Sequence, residues 1–240
     1  MTCPRTHPPL RPCRAGGTDG ERRWVGSLSL YQVWARDNAS REWRVAPQLK
    51  YRPVPALTVS LAAGREHLEN RRQFVPGTDA AGKPAYLVST LNSDTLTFTA
   101  RAQWFIRPEL SVQYYGSPFG STGTYARFER VVSPRAAEYD ARGHALGPPS
   151  IAGARYGFDE NGDGAADLFA SRPDFSFGQF RSNLVLRWEF RPGSNLYVVW
   201  AQERSDWRGA PVNAGAALGR LTSAPATNVL LVKCSYWFAR

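Results

Sequence analysis

The chain has 240 residues, 42% of them hydrophobic, which is enough for one large β domain or two small domains. Its formal net charge of +10 comes mostly from arginine, but no Arg/Lys cluster on a helix and no RNA-reading motif is present, which argues against nucleic-acid binding. No apolar run is long enough for a membrane-spanning helix, and the 3 cysteines imply no disulfide framework.

Residues 1–21 are rich in Pro, Arg and Gly and predict a disordered or artefactual head. This head contains basic residues but no apolar core, so the chain as written has no signal peptide. If the protein is exported, we expect the chain to be a fragment or to carry a wrong start. The remaining residues, 22–240, form a single unit dominated by period-two alternation, which indicates β-strands.

The clearest strand pattern covers residues 95–107. Apolar side chains at alternate positions include Leu96, Phe98 and Trp104, whereas Arg101 and Gln103 fall on the opposite face. Successive side chains of a strand point to opposite sides of the sheet, so the segment predicts a two-faced strand.

Three similar motifs separate alternating runs and predict short hairpin turns. Each is an aromatic or apolar residue followed by Arg and Pro, at residues 51–53, 106–108 and 190–192. The joins between hairpins are much longer, at about residues 64–85, 120–182 and 203–227. Short turns at one end and long loops at the other are typical of outer-membrane barrels.

The segment NLVLRWEFRPGSNLYVVW, residues 183–200, predicts one complete hairpin. Arg187 and Glu189 occupy one face of its first strand, and the other face carries Leu184, Leu186, Trp188 and Phe190. Alternation alone fits two structures. In a soluble sandwich the apolar face is the core, and in a membrane barrel it meets lipid while the polar face lines the lumen.

The end of the chain, NVLLVKCSYWFAR, predicts a final strand of the same kind. Lys233 lies on one face, and the other carries Leu230, Val232, Tyr236 and Phe238. This ending resembles the C-terminal signal strand of bacterial outer-membrane barrels, which the barrel-assembly machinery reads.

Residues 180–202 and 228–238, together with TLTFTARAQWFIRPELSVQYYGSPF at 95–119, resemble domain-of-unknown-function family 5916. Its members carry a C-terminal outer-membrane β-barrel after an N-terminal domain resembling carbohydrate-binding family 9. The resemblance implies that this chain is a C-terminal fragment of such a protein. It also implies that any polysaccharide contact belongs to the missing domain.

We therefore predict an all-β, antiparallel, up-and-down transmembrane β-barrel with about eight strands, as part of a larger barrel. The predicted function is that of a bacterial outer-membrane protein acting as a channel, an anchor or a surface platform, with lipid as its main partner. The alternative is a soluble, secreted all-β binding module with a calcium-ordered loop. The two readings differ in whether the apolar faces meet acyl chains or a protein core.

An acidic, glycine-rich loop is the sharpest chemical motif. Five residues have the spacing of oxygen ligands for Ca²⁺, namely Asp159, Asn161, Asp163, Ala165 and Asp167. The bidentate acid of an EF-hand is absent, because Ala170 stands at that position. The loop therefore predicts an optional calcium site, and an Asp/Asn/Gly turn without metal is the alternative.

The sequence gives little support for catalysis. The histidines, His7, His67 and His144, are each isolated in a predicted loop or in the head, and no hydrolase or phosphate-binding motif is present. We predict that the protein is not an enzyme and requires no cofactor.

Overall fold

The computed structural model describes residues 23–35, 39–76, 79–80, 83–153 and 155–238. The predicted head at residues 1–21 lies outside this range. In chain order the strands are β1 (Trp24–Trp34), β2 (Ser40–Val54), β3 (Leu57–Val75), β4 (Asp79–Ala80), β5 (Lys83–Pro84), β6 (Leu87–Arg107), β7 (Leu110–Val131), β8 (Gly143–Ala145), β9 (Ser150–Ala152), β10 (Arg155–Phe158), β11 (Leu168–Ser171), β12 (Phe175–Arg191), β13 (Ser194–Arg208) and β14 (Ala226–Ser235). A short 3₁₀ helix covers Asp140–Arg142, and one α-helix, α1, covers Ala214–Arg220.

The main sheet follows the chain from one edge to the other. Its order is β1-β2-β3-β6-β7-β12-β13-β14, and β8 pairs with β7 beside this path. Each pairing along the path is antiparallel. The prediction of an all-β, antiparallel, up-and-down arrangement is confirmed. Within the described residues β1 and β14 do not pair with each other, so closure into a barrel stays a prediction.

The short hairpin turns lie close to where the Arg-Pro motifs place them. They contain Pro55-Ala56, Pro108-Glu109 and Pro192-Gly193. Gly193 has a φ of 78°, the left-handed conformation that a type II turn requires after its proline. The turns all lie at the same end of the strands, which we call the turn end. We call the opposite end of the strands the loop end.

The predicted limits of the long loops were wrong. Strand β3 continues to Val75, β7 continues to Val131 and β12 begins at Phe175, all inside segments that we expected to be loops. The apolar residues of these stretches do not recur along one face in a long enough run, so hydrophobic periodicity does not mark them as strands. The strands thus extend well beyond the length needed to cross a bilayer.

A second sheet forms at the loop end, with the order β5-β4-β11-β10-β9. Together with the loop-end parts of β3, β6 and β7 it encloses a hydrophobic core, and we call this unit the cap. The core consists of Val75, Ala85, Leu87, Phe128, Tyr156, Phe158, Leu168 and Ala170. Its aromatic rings pack at centroid distances of 4.9–6.4 Å.

The connection from β13 to β14 contains α1. Its N-terminus is capped by the side chain of Asn213, which accepts a hydrogen bond from the amide of Ala216 at 2.7 Å. None of the helices in the described part of the chain has the length and apolar character needed to cross a membrane.

Candidate functional site

The strand register aligns apolar residues in continuous rows across the main sheet. Residues paired across neighbouring strands share a face, and one such row crosses all the strands from β1 to β14. It contains Trp24, Tyr51, Val59, Ala102, Tyr114, Leu184, Trp200 and Leu230. We call the face that carries this row the apolar face.

The neighbouring row toward the turn end is also apolar. It contains Leu57, Trp104, Val112, Leu186, Val198 and Val232. Side chains that the sequence predicts to face lipid on separate strands, such as Trp104, Leu186 and Val232, therefore belong to one surface. Leu96 lies on the same face but nearer the loop end, where it pairs with Gly120.

The apolar face is exposed over much of its area. Leu230 is 69% exposed and Val232 61%, while Phe98, Trp104 and Trp188 are 46–48% exposed. Monomeric soluble proteins rarely leave a contiguous apolar face uncovered when it extends across this many strands. The described part of the chain does not sandwich these side chains in a protein core.

The opposite face carries the residues that the sequence predicts to line a lumen. One row contains Val25, Lys50, Ser60, Arg101, Tyr115, Asn183, Ala201 and Val229. Gln103, Arg187 and Lys233 follow on this face toward the turn end. Arg187 pairs with Glu189 at 3.5 Å, and Glu189 accepts a hydrogen bond from the amide of Gly193 at 3.0 Å.

Charged and hydroxyl groups on this opposite face largely satisfy one another. Glu203 accepts hydrogen bonds from Gln179 at 2.8 Å and from Arg181 at 3.2 and 3.3 Å. The hydroxyls of Thr95 and Ser121 lie 2.8 Å apart. The face is less polar on β13 and β14, where Val199 and Leu231 form one of its pairs.

An aromatic cluster surrounds the turn at Pro192-Gly193. Trp188 and Phe190 lie on β12, and their rings are linked to those of Tyr236 and Phe238 by centroid distances of 4.6–6.4 Å. Arg191 donates a hydrogen bond to the hydroxyl of Tyr236. Strand β14 ends at Ser235, so Tyr236 and Phe238 lie just beyond it, where the ring of Tyr236 packs between those of Phe190 and Phe238. That these two residues face lipid stays a prediction.

The apolar face becomes charged at the loop end. Arg65, His67 and Asp94 follow Ala63 and Leu96 along β3 and β6. The Nδ1 atom of His67 lies 3.2 Å from a carboxylate oxygen of Asp94, and Arg65 lies 3.8 Å from the same oxygen. His67 is therefore on a strand with a carboxylate partner, and our expectation that it is isolated in a loop was wrong.

The acidic loop between β10 and β11 is organised by its own backbone. Both carboxylate oxygens of Asp159 accept backbone hydrogen bonds, from Gly162 at 2.6 Å and from Gly164 at 2.8 Å. These bonds hold the pKa of Asp159 below its usual range. Asp163 accepts from the amide of Ala165 at 2.8 Å, and Asp167 from the amide of Glu160 at 3.2 Å.

These contacts describe an Asp/Asn/Gly turn of the kind that forms without metal. Asn161 takes part as well, since its side-chain oxygen accepts from the amide of Asp163 at 2.8 Å. In the described part of the chain no group of three or more His, Cys, Asp or Glu side chains is arranged to hold a metal ion. Calcium binding at this loop stays a prediction.

A buried carboxylate joins three parts of the cap, and it was not predicted from the sequence. Asp174, only 6% exposed, accepts hydrogen bonds from the amide of Tyr125 at 2.8 Å and from the hydroxyl of Tyr156 at 2.5 Å. Arg172 lies 3.4 Å from the same carboxylate. Burial, and then the bond to Asp174, raise the pKa of Tyr156. Asp174 follows a Pro in an apparent loop, so no local pattern marked it.

Comparisons with protein-family models, with curated proteins and with solved structures find no match to this chain. The function is therefore inferred from the two faces of the main sheet and from the cap.

Proposed function

We propose that this chain forms part of the membrane-spanning wall of a bacterial outer-membrane β-barrel. Its apolar face is then directed toward lipid and the opposite face toward the lumen. The observation that carries this proposal is the exposed apolar face, which runs in register through the eight strands of the path from β1 to β14. An apolar face of this extent needs an apolar neighbour. The cap cannot be that neighbour, because its core is at the loop end and consists of other residues.

The dimensions of the apolar face fit a bilayer. On β12 the apolar face runs from Phe180, next to α1, to Trp188 in the aromatic cluster at the turn end. This stretch has about 9 residues, within the range of roughly 9–11 that a tilted strand needs to cross a bilayer. The apolar band of outer-membrane barrels is about 25 Å tall, with aromatic girdles at its borders. The aromatic cluster and the charged loop end then lie near the two borders.

The two edge strands set a requirement on the assembled protein. Backbone polar groups within a membrane need internal partners, so the free edges of β1 and β14 must each pair with a strand in the bilayer. In the proposed barrel they pair with each other or with further strands of a larger barrel. An even number of strands makes β1 and β14 antiparallel, which suits either solution.

The biological role within this proposal is that of a channel, an anchor or a surface platform. The charged pairs on the opposite face, such as Arg187 with Glu189, supply a hydrated wall for a lumen. The resemblance to domain-of-unknown-function family 5916 supports the same reading, and membership in that family is part of the proposal. So are recognition of the final strand by the assembly machinery, polysaccharide contact through a separate domain and the absence of enzymatic activity.

The test is the behaviour of the protein in membranes. We expect the purified chain to require detergent, to float with liposomes in a density gradient, and to migrate differently on gels before and after heating. Flotation should persist in high salt, because burial of the apolar face rather than surface charge holds the protein. A monomer that stays in solution without detergent and does not float would contradict the proposal.

A further inference from the structure

A groove separates α1 from the apolar face of the main sheet. It has a volume of about 540 Å³, within the range of small-molecule sites. Its lining is mostly apolar, with polar groups at one rim, and consists of Phe98, Pro118, Phe180, Gln202, Arg204, Leu218, Gly219, Leu221 and Thr222. Phe98 and Phe180 belong to the apolar face, so the groove opens directly from the surface that we propose to meet lipid.

Two glycines of the sheet let α1 lie against the strands. A Cβ atom at Gly120 would meet the backbone of Ala214 and the side chain of Leu218. A Cβ atom at Gly178 would meet the backbone of Ala217 and the side chain of Leu221. The close approach of α1 is therefore a built feature of the sequence, and it fixes one wall of the groove.

Arg204 places a positive charge at the rim. One of its Nη atoms donates to the carbonyl oxygens of Leu221, Thr222 and Ala224 at 3.0–3.4 Å, just after α1 ends. In the part of the chain that the structure describes, no carboxylate forms an ion pair with this guanidinium. The neighbouring Arg220, in contrast, is paired with Asp206 at 2.6 Å. Arg204 therefore remains suited to an anion from outside the chain.

We infer that this groove holds one acyl chain of a phosphate-bearing membrane lipid, with the phosphate next to Arg204. The inference rests on the proposed function, because the groove must open toward a bilayer. An apolar channel continuous with the lipid-facing surface suits a hydrocarbon chain, and a cation at the loop-end border suits the headgroup. The site selects this lipid from the surrounding leaflet and holds it longer than the lipids along the rest of the apolar face.

The test begins with the unmodified chain, reconstituted with phosphatidylglycerol that carries a photoreactive diazirine in its acyl chain. We expect crosslinks to concentrate at residues of the groove lining, such as Phe98, Phe180, Leu218 and Leu221. Crosslinks spread evenly along the apolar face would overturn the inference. Flotation of the same sample tests membrane insertion separately: a chain that floats without preferred crosslinks contradicts only the lipid site, and one that fails to float contradicts the proposed function.

Native mass spectrometry of detergent-solubilised protein with added phosphatidylglycerol tests the charge. We expect the unmodified chain to retain one lipid and Arg204→Gln to weaken its retention by about tenfold, as loss of a charge-assisted hydrogen bond implies. Arg187→Gln removes the same charge from the opposite face and serves as the matched control. Equal retention in all three proteins, or no retained lipid in any of them, would overturn the assignment.

Discussion

The cap and the apolar face use the same kinds of side chain in opposite ways. In the cap, Leu87 and Leu168 are fully buried and Phe158 is 1% exposed, whereas on the apolar face Leu230 is 69% exposed and Trp188 is 47% exposed. Burying such a side chain contributes about 1.5–3 kcal/mol. Within the described residues, the chain obtains this stabilisation from its own core at the loop end. Along the apolar face the stabilisation must come from another solvent, and a lipid bilayer is the one that we propose.

Polar groups follow the same division. In the cap, the buried carboxylate of Asp174 accepts hydrogen bonds from Tyr125, Tyr156 and Arg172. On the sheet face opposite the apolar face, Arg187 is 45% exposed and pairs with Glu189 at the surface. The cap is thus organised like the interior of a soluble domain. The sheet between the cap and the turns has instead two exposed faces, one apolar and one mostly polar.

The largest effect should come from opening a cavity in the cap. Leu168→Ala removes a side chain with 0% exposure and should lower the free energy of unfolding of the cap by about 2–5 kcal/mol. Leu230→Ala deletes the same atoms from the apolar face, where no protein cavity results, and should cost less. Urea unfolding of both variants in detergent measures the difference, and equal losses would break the comparison.

A smaller effect is expected from the buried carboxylate. Tyr156→Phe removes the hydroxyl that donates to Asp174 and should cost about 1–3 kcal/mol, because the buried carboxylate loses a partner. Tyr139→Phe is the matched control, since within the described residues the Tyr139 hydroxyl is buried without a hydrogen-bond partner. Urea unfolding should therefore give a lower free energy of unfolding for Tyr156→Phe than for Tyr139→Phe. A Tyr139→Phe variant as destabilised as Tyr156→Phe would contradict this account of the cap.

The same tyrosine predicts a loss of stability in alkali. The pKa of Tyr156 is raised in the folded cap, so the folded state holds this proton more tightly than the unfolded chain. Its contribution is complete below the unfolded pKa of about 10 and is lost as pH rises through the higher folded value. We expect a steeper alkaline loss of stability in the unmodified chain than in Tyr156→Phe. Parallel profiles would count against the buried hydrogen bond.

The smallest effect concerns the acidic loop. The pKa of Asp159 is lowered by the amides of Gly164 and Gly162, so its contribution is present above the unfolded pKa of about 3.9 and is lost as pH falls through the lower folded value. The amide chemical shifts of Gly162 and Gly164 should titrate below the usual aspartate range. The titration should disappear in Asp159→Asn. A midpoint in the usual range would show that these bonds do not persist in solution.

The strands near the turns were predictable because one rule governs them. In residues 95–107 and 183–200, alternation gave the faces, and Pro followed by Gly gave the turn at 192–193. At the loop end this alternation of apolar and polar residues is lost. There Arg65, His67 and Asp94 replace apolar residues on one face, although β3 and β6 continue as paired strands. Hydrophobic alternation appears in a sequence only where the two sides of a strand have different surroundings. It therefore does not reveal a strand whose two sides both carry polar residues.

The cap could not be predicted for a different reason. Its core joins Val75, Leu87 and Phe128 of the main sheet to Phe158 and Leu168 of a separate sheet, across long separations in sequence. Short strands such as β10 and β11 carry too few residues for a periodic signal. Two partners of Asp174, Tyr125 and Tyr156, are also distant from it in sequence. The bonds of the Asp159 loop, in contrast, lie within a few residues and follow from its Asp/Asn/Gly composition.

Leu230 and Leu231 allow the most direct test of the central claim, that the apolar face meets lipid. They are neighbours on β14, 69% and 53% exposed, and point to opposite faces of the sheet. In liposomes we predict that Leu230→Arg lowers the free energy of unfolding by about 2–4 kcal/mol, the cost of an arginine on the lipid face near the midplane. Leu231→Arg should stay within about 0.5 kcal/mol of the unmodified chain, as expected for a hydrated surface. Equal effects of the two substitutions, or a larger loss from Leu231→Arg, would contradict the claim.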